Sequence, residues 1–383
     1  MKAQSKRTVA ILGCVGVPAQ YGGFETLAEN LVYYHERNRD AMDLPAMEVY
    51  CSSRAYDTQM DSFHGVRLRY LPLEANGKEA MFYDMWSLID AAWRGTDVAI
   101  LLGHGGSFVL PLLKLVSRTR FITNIDGIEW RREKWGGFAR WLIRKSEAFA
   151  VRHSHVVIAD NDAIRDYVRE EFDQPCEVIA YGGDHALAAE PGGDLPKGLP
   201  DSYALALCRI EPENNVGMIL EAFAATDRPL VFVGNWAKST YGRDLKEKYV
   251  GHANLTLLDP VYDARPLRAI RDRATMYVHG HSAGGTNPSL VEMMQFGVPV
   301  LAHGCNFNRY STEEQADYFM SASELTATLE ALTPERAAAN GAAMREIAAR
   351  RYTWEAIGQA YFDLALGQER ARRGAAAPVG TPG

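Results

Sequence analysis

The stretch MYVHGHSAGGTNPSLVEMMQFGVPVLA, residues 276–302, decides the reading of this chain. Met276–Val278 is a short apolar run that reads as a strand. A loop of small residues follows, and a helix starts near Pro288. Proline in a first helical turn costs nothing, because the amide it lacks would be unpaired there anyway. Val300–Ala302 is a second apolar run. Strand, helix and strand in this order form a βαβ unit with parallel strands. Amides around Ser289 and Leu290 would offer a phosphate the favourable end of the helix dipole. Glu292, one turn inside, would reach ribose hydroxyls. The plain alternative is an ordinary capped helix with an acid in its first turn. His279 and His281 lack a third ligand at suitable spacing, so no metal is expected.

Outward from this unit the same alternation fills the chain. Strands are predicted at Thr8–Leu12, Glu48–Cys51, Arg67–Leu71, Val98–Leu102, Phe121–Asn124, Val156–Ala159 and Glu177–Ala180. Helices are predicted at Glu25–Glu36, Glu79–Trp93, Phe138–Arg152 and Asp162–Phe172. Residues 188–200 (AAEPGGDLPKGLP) carry Gly and Pro without an apolar period and read as a linker. Strands resume at Tyr203–Leu207, Leu230–Val233 and Leu255–Leu258, and Ser323 to about Arg373 reads as helical. The tail, 373–383, has too little apolar surface to order. The expectation is an α/β chain of two Rossmann-like, doubly wound domains, 1–187 and 201–350, facing one cleft. A length of 383 residues suits two cores better than one.

The net charge of −7 argues against a general nucleic-acid binder. Five scattered cysteines, with no C-x-x-C pair, read as free thiols of a reducing cytosol. The apolar run near the N-terminus ends in glycines, which suits a first strand better than a signal peptide. No run is long enough to cross a bilayer. A cytoplasmic protein is therefore expected.

Four further segments could carry chemistry. In GCVGVPAQYGGFET, residues 13–26, glycines lie between a strand and a helix, so Tyr21, Gly22, Gly23, Phe24 and Glu25 would form a ligand loop or a plain turn. The spacing is not G-x-G-x-x-G, which disfavours a dinucleotide site and an NAD oxidoreductase. Asp126 and Glu129 follow a strand, where a carboxylate accepts protons or holds sugar hydroxyls, or merely caps a helix. In WRREKWGGFARWLIRK, residues 130–145, Arg131, Arg132 and Lys134 lie among Trp135 and Trp141. That mixture suits an anionic membrane interface or a lipid pyrophosphate, or a solvated helix with its aromatic face inward. Arg209 follows the first strand of the second half and would neutralise a diphosphate, or be a buried structural arginine.

The stretches PAQYGGFET, TNIDGIEWRREKW, RIEPENN, GNWAKSTYG, GHSAGGTNPSLVEMMQFGVPV, FNRY and RYTWEAIGQAY span nearly all of the chain. Together they resemble retaining glycosyltransferases of the GT-B fold, family GT4, and most closely a bacterial rhamnosyltransferase branch. The resemblance implies that Glu292 is the second glutamate of an E-x7-E motif and holds the donor ribose. It implies that Arg209 contacts the donor diphosphate and that Asn287 to Leu290 cradle phosphate and sugar. Gly22 and Gly23 would lie near acceptor and diphosphate. A helix in 351–372 would cross back to the first domain.

Two departures stand out. The first motif glutamate falls at Gly284, and the family's phosphate lysine is replaced by Asn214. His281, Thr286 or Asn287 would then supply sugar contacts, Gly284 and Gly285 would belong to the donor-binding loop, and Lys238 would stand in for the lysine. The resemblance implies dTDP-L-rhamnose as donor, used as substrate with no cofactor. It also implies a polyprenyl-diphosphate-linked saccharide as acceptor, at the inner face of the plasma membrane. Asp126 is expected to orient acceptor or sugar. A nucleotide-sugar epimerase and a non-catalytic nucleotide-sugar binding protein are the rival functions.

Overall fold

The computed structural model describes residues 7–367, apart from Tyr21, residues 132–135, residues 191–194 and Lys197. Among the described residues, the first lobe holds strands β1 (Thr8–Leu12), β2 (Ala46–Ser52), β3 (Ser62–Phe63), β4 (Val66–Leu71), β5 (Val98–Leu102), β6 (Arg120–Asn124), β7 (Val156–Ala159) and β8 (Glu177–Val178). Its helices are α1 (Gly23–Asn38), α2 (Ala80–Trp93), α3 (Leu110–Val116), α4 (Gly137–His153) and α5 (Asp162–Phe172). The sheet order is β3-β4-β2-β1-β5-β6-β7-β8. Only the β3–β4 pair is antiparallel.

The second lobe holds β9 (Tyr203–Leu207), β10 (Leu230–Val233), β11 (Leu255–Leu258), β12 (Ala274–His279), β13 (Val300–His303) and β14 (Asp317–Phe319). Their order is β11-β10-β9-β12-β13-β14, all parallel. Helices α6 (Val216–Ala224), α7 (Thr240–Tyr249), α8 (Ala264–Asp272), α9 (Pro288–Met294), α10 (Asn306–Ser311), α11 (Ala322–Ala331), α12 (Pro334–Arg351) and α13 (Trp354–Ala365) complete it. Strands such as β5 (VAILL) are buried along their whole length, because helices cover both faces of a parallel sheet.

In a doubly wound sheet, ligands bind where the strand order reverses, outside the carboxyl ends of the strands. In the first sheet that point lies between β1 and β5, and in the second between β9 and β12. A ligand of either sheet would therefore sit among the loops leaving these four strands.

Three local features differ from the sequence-based expectation. β3 and β14, of two and three residues, are too short to show an apolar run. Asp317 sits in β14 because Arg336 and Asn340 of α12 satisfy its carboxylate. The C-terminal helical segment is three helices, divided where Thr333 and Thr353 accept the amides of Arg336 and Ala356 as N-caps. The expected tail lies outside the described residues.

Helix α13 crosses back to the first lobe and packs on α1. Phe362 stacks on Tyr34 at 5.6 Å between ring centroids. The Asn124 amide donates to the Tyr361 hydroxyl at 2.7 Å, and Arg120 donates to the Leu364 carbonyl at 2.9 Å.

Candidate functional site

The loops that leave β9 and β12 are laced together. The Asn215 amide side chain donates to the Gly280 carbonyl at 2.8 Å. The Ser282 hydroxyl and amide both donate to the Glu213 carbonyl, at 2.8 and 3.0 Å. Asn214 is buried, and its side chain donates to the Arg209 carbonyl at 2.8 Å. Asn214 therefore shapes the loop that presents Arg209. The Arg209 side chain is 42% exposed and its partner Glu211 lies at 3.7 Å, so the guanidinium is available to an anion. It is not the buried structural arginine of the plain alternative. Lys238 is exposed in the loop after β10, on the other flank of β9 and away from the strand reversal.

Helix α9 is only seven residues long. The Leu290 amide already donates to the Asn287 carbonyl at 3.1 Å, and the Thr286 amide donates to Asp160 Oδ2 at 3.1 Å. One amide assigned to a phosphate cradle on sequence grounds, that of Leu290, thus has an acceptor within the protein, as does the Thr286 amide beside the cradle. The Ser289 side chain meets the Tyr277 hydroxyl. His281 stacks on His279 at 4.3 Å, and its carbonyl accepts the Asn308 side chain at 2.8 Å. Among the described residues, no group of three metal-ligating side chains occurs.

Glu292 is bound into a buried network. One carboxylate oxygen pairs with Arg271, whose side chain is 7% exposed. The other lies 3.3 Å from His185 Nε2. The Trp354 indole donates to His185 Nδ1 at 2.9 Å. Indole is a donor only, so Nδ1 is the acceptor nitrogen and the ring proton sits on Nε2, facing Glu292. Burial opposes the charge on Glu292, but Arg271 and His185 outweigh it and hold the carboxyl below the usual range. The side chain keeps 12% exposure, enough for an edge to reach a ligand. Sequence reasoning found Glu292 and missed Arg271 and His185. Neither sits in a local motif, and the tertiary fold alone brings them in.

On the first lobe, Glu25 folds back into the glycine loop. Its carboxylate accepts the Val15 amide at 2.9 Å. Burial raises its pKa, with the Val15 bond opposing. Glu25 is the clamp that shapes the loop, with Gly22 and Gly23 at its helix end. The Phe24 ring lies against Gly103, so the loops after β1 and β5 touch. The β5 loop, Gly103-His104-Gly105-Gly106-Ser107, was not singled out from the sequence. A run of small residues after a strand at the order reversal was the available signal. His104 is buried there, and desolvation pushes its pKa down to about 4 despite nearby Glu129.

Asp126 holds a left-handed backbone, φ 58°, and its amide donates to Asn124 Oδ1 at 2.9 Å. Asp160, at the end of β7, is a second carboxyl in this region. Burial, and then the charge of Asp126, push its pKa up to about 8. Asp160 also joins the lobes: its carbonyl accepts the Thr286 hydroxyl. A Cβ on Gly285 would lie 1.8 Å from Asp160 Oδ1, and one on Gly127 would lie 3.1 Å from Gly284. Only glycine permits this approach. The fold therefore brings Gly127, next to Asp126, and Asp160 to Gly284, Gly285 and Thr286 across the cleft, while Arg209, His281, Asn287 and Glu292 lie on the second lobe. Arg131 is exposed and sits over the Trp130 ring, and Trp141 is exposed on α4. Tyr21, Arg132, Lys134 and Trp135 lie outside the described residues.

The family described as a domain of unknown function (DUF1972) matches residues 6–184. Among curated proteins, none matches the sequence. Sucrose-phosphate synthase from Thermosynechococcus elongatus superposes with a TM-score of 0.76 at 16% identity, covering 95% of this chain and 99% of that one. Anabaena HepE in complex with UDP-glucose gives 0.68 at 14% identity, covering 95% and 100%. A candidate UDP-N-acetylglucosamine 2-epimerase from Listeria monocytogenes gives 0.63 at 12% identity, covering 95% and 97%. The chain has the two-lobed, parallel-sheet GT-B fold of glycosyltransferase structures, matched over nearly its whole length.

Proposed function

We propose that this chain is a retaining glycosyltransferase that moves L-rhamnose from dTDP-L-rhamnose to a polyprenyl-diphosphate-linked saccharide in cell-surface polysaccharide synthesis. One observation carries the reading. Arg209 and Glu292 lie on the two segments that follow the order-reversing strands of the second sheet, opposite Asp126 of the first lobe. The donor type and acceptor rest on the sequence motifs. The binding of UDP-glucose by Anabaena HepE supports a nucleotide-sugar donor on this fold.

In this reading Arg209 neutralises the donor diphosphate, and Glu292 accepts ribose hydroxyls. Transfer proceeds on one face of the sugar. The bond from the anomeric carbon to the diphosphate oxygen breaks as the acceptor oxygen bonds to the same carbon. The leaving diphosphate takes the acceptor's proton. The protein's task is positioning and charge stabilisation. Asp126 orients acceptor or sugar from the first lobe.

The test is a thermal-shift screen of nucleotide sugars, followed by transfer assays with lipid-linked acceptors, since a ligand of the native state raises its stability. A shift with dTDP-L-rhamnose and a retained linkage in the product support the reading. No shift with any nucleotide sugar overturns it. The likeness to the Listeria protein favours epimerisation as a second reading. Donor epimerised without acceptor would establish that instead.

A further inference from the structure

Helix α2 carries Phe82, Trp86, Ile89 and Trp93 at steps of four, three and four, which line one helical face. All four are exposed, and Trp93 is 89% exposed. The opposite face, with Tyr83, Leu88 and Ala91, is buried in the core. Helix α3 packs against both α2 and α4. It adds Leu112, Leu115 and Val116, with Leu115 at 85%, and α4 adds Phe138 at 77% and Trp141. Nine of the sixteen exposed large apolar side chains among the described residues lie on these three helices. A patch so concentrated marks a contact surface.

The charges on the same helices are segregated. Arg94, Lys114 and Arg118 are exposed beside α2 and α3, and Arg140, Lys145 and Arg152 are exposed on α4. Of the acids, Asp84 and Glu147 are buried, and Asp90 pairs with Arg94. Between α4 and α5 a groove of about 400 Å³ is lined by Trp141, Arg144, Lys145 and Arg152, with Glu171 as its acid. This cationic face belongs to a chain of net charge −7.

We infer that the α2–α3–α4 face docks on an anionic bilayer, with aromatic side chains in the interface and lipid headgroup phosphates at the basic rim and groove. Tryptophan beside arginine and lysine suits the boundary of an anionic leaflet. A second copy fits poorly, because a two-fold contact would set the same cations against each other. Position supports the assignment. In parallel βα units helices begin at the carboxyl edge of the sheet, so Phe138 and Trp141 at the start of α4 lie on the edge where Asp126 leaves β6. A bilayer on this face would hold a lipid-linked acceptor with its saccharide near the cleft. That last step rests on the proposed function; the surface itself does not.

The test is sedimentation of the full chain with phosphatidylcholine vesicles, with and without phosphatidylglycerol. Binding is expected only with phosphatidylglycerol and is expected to weaken with salt. Trp93→Ser with Leu115→Ser, and separately Arg140→Glu with Lys145→Glu, should each weaken binding about ten-fold or more. The apolar double variant should keep its Tm, its thermal shift with dTDP-L-rhamnose and its transfer to a soluble acceptor, because both side chains are exposed. Equal vesicle binding by wild type and variants would overturn the inference, as would failure to bind anionic vesicles. A lipid-free dimer abolished by Trp93→Ser would overturn it in favour of a second copy. Failure of every nucleotide sugar to shift Tm sinks the proposed function and leaves vesicle binding standing.

Discussion

The Nε2 of His185 lies 3.3 Å from the Glu292 carboxylate, while its Nδ1 accepts the Trp354 indole proton. One imidazole thus couples helix α9, which carries Glu292, to the start of the returning helix α13. Replacing it with alanine removes two hydrogen bonds, each worth about 1 kcal/mol. His185→Ala should weaken donor binding several-fold and lower Tm. His185→Gln can both donate and accept, and should recover part of both losses. Calorimetric titration of donor and a melting curve read the two effects separately.

Glu292→Ala is a more disruptive change than its place in a binding motif suggests. It leaves the Arg271 guanidinium buried without its carboxylate, a defect that costs about 3–5 kcal/mol. A marked drop in Tm is expected, together with loss of transfer. Glu292→Gln keeps the shape and an acceptor, so its Tm should fall less while donor affinity still drops. Equal melting curves for Glu292→Ala and wild type would show that the Arg271 pair contributes nothing.

Asp160 and Glu292 give opposite pH dependences. Asp160 is raised to about 8 in the folded chain against an ordinary value of 3.8. The folded state therefore binds the extra proton, and stability falls as pH rises between those values. Glu292 is held down, so its contribution is present above the ordinary carboxylate pKa and is lost as pH falls through its folded value. Asp160→Asn keeps an oxygen for the Thr286 amide and should flatten the decline of Tm from about pH 5 to pH 8. An unchanged slope in that variant would assign the decline to another group.

Gly284→Glu would place a glutamate where the family motif has its first one, but it should not create a sugar contact. Gly284 has φ 124°, and Gly127 of the first lobe backs directly onto it. A side chain there carries backbone strain of about 1–3 kcal/mol, and its Cβ would lie 3.2 Å from the Asn287 side chain. Lower Tm and no gain in transfer are expected. Gly285→Ala, with its methyl directed at Asp160, should open the cleft, visible as a larger radius of gyration in small-angle scattering. A radius equal to wild type would mean that the lobes do not depend on this contact.

The βα rhythm was legible because strands such as β5 and β7 are continuous apolar runs between helical periods. Residues 8–12, 98–102, 156–159, 203–207, 230–233 and 255–258 have the same bounds in sequence and structure. β3 and β14 escaped because two or three residues carry no periodicity. Arg209 and Glu292 were legible because each follows a strand in a local motif. Arg271, His185 and Asp160 act through partners far away in sequence, and no spacing announces such pairs. Glu25 was noticed for its position in a loop, while its direction, inward to Val15, depends on the turn that only coordinates display.

Because α13 supplies Tyr361 and Phe362 to the first lobe, that lobe cannot be completed by its own segment of the chain. During synthesis the Tyr34 side of α1 stays uncovered until α13 leaves the ribosome. A fragment ending near residue 187 would lack this part of the first lobe's surface.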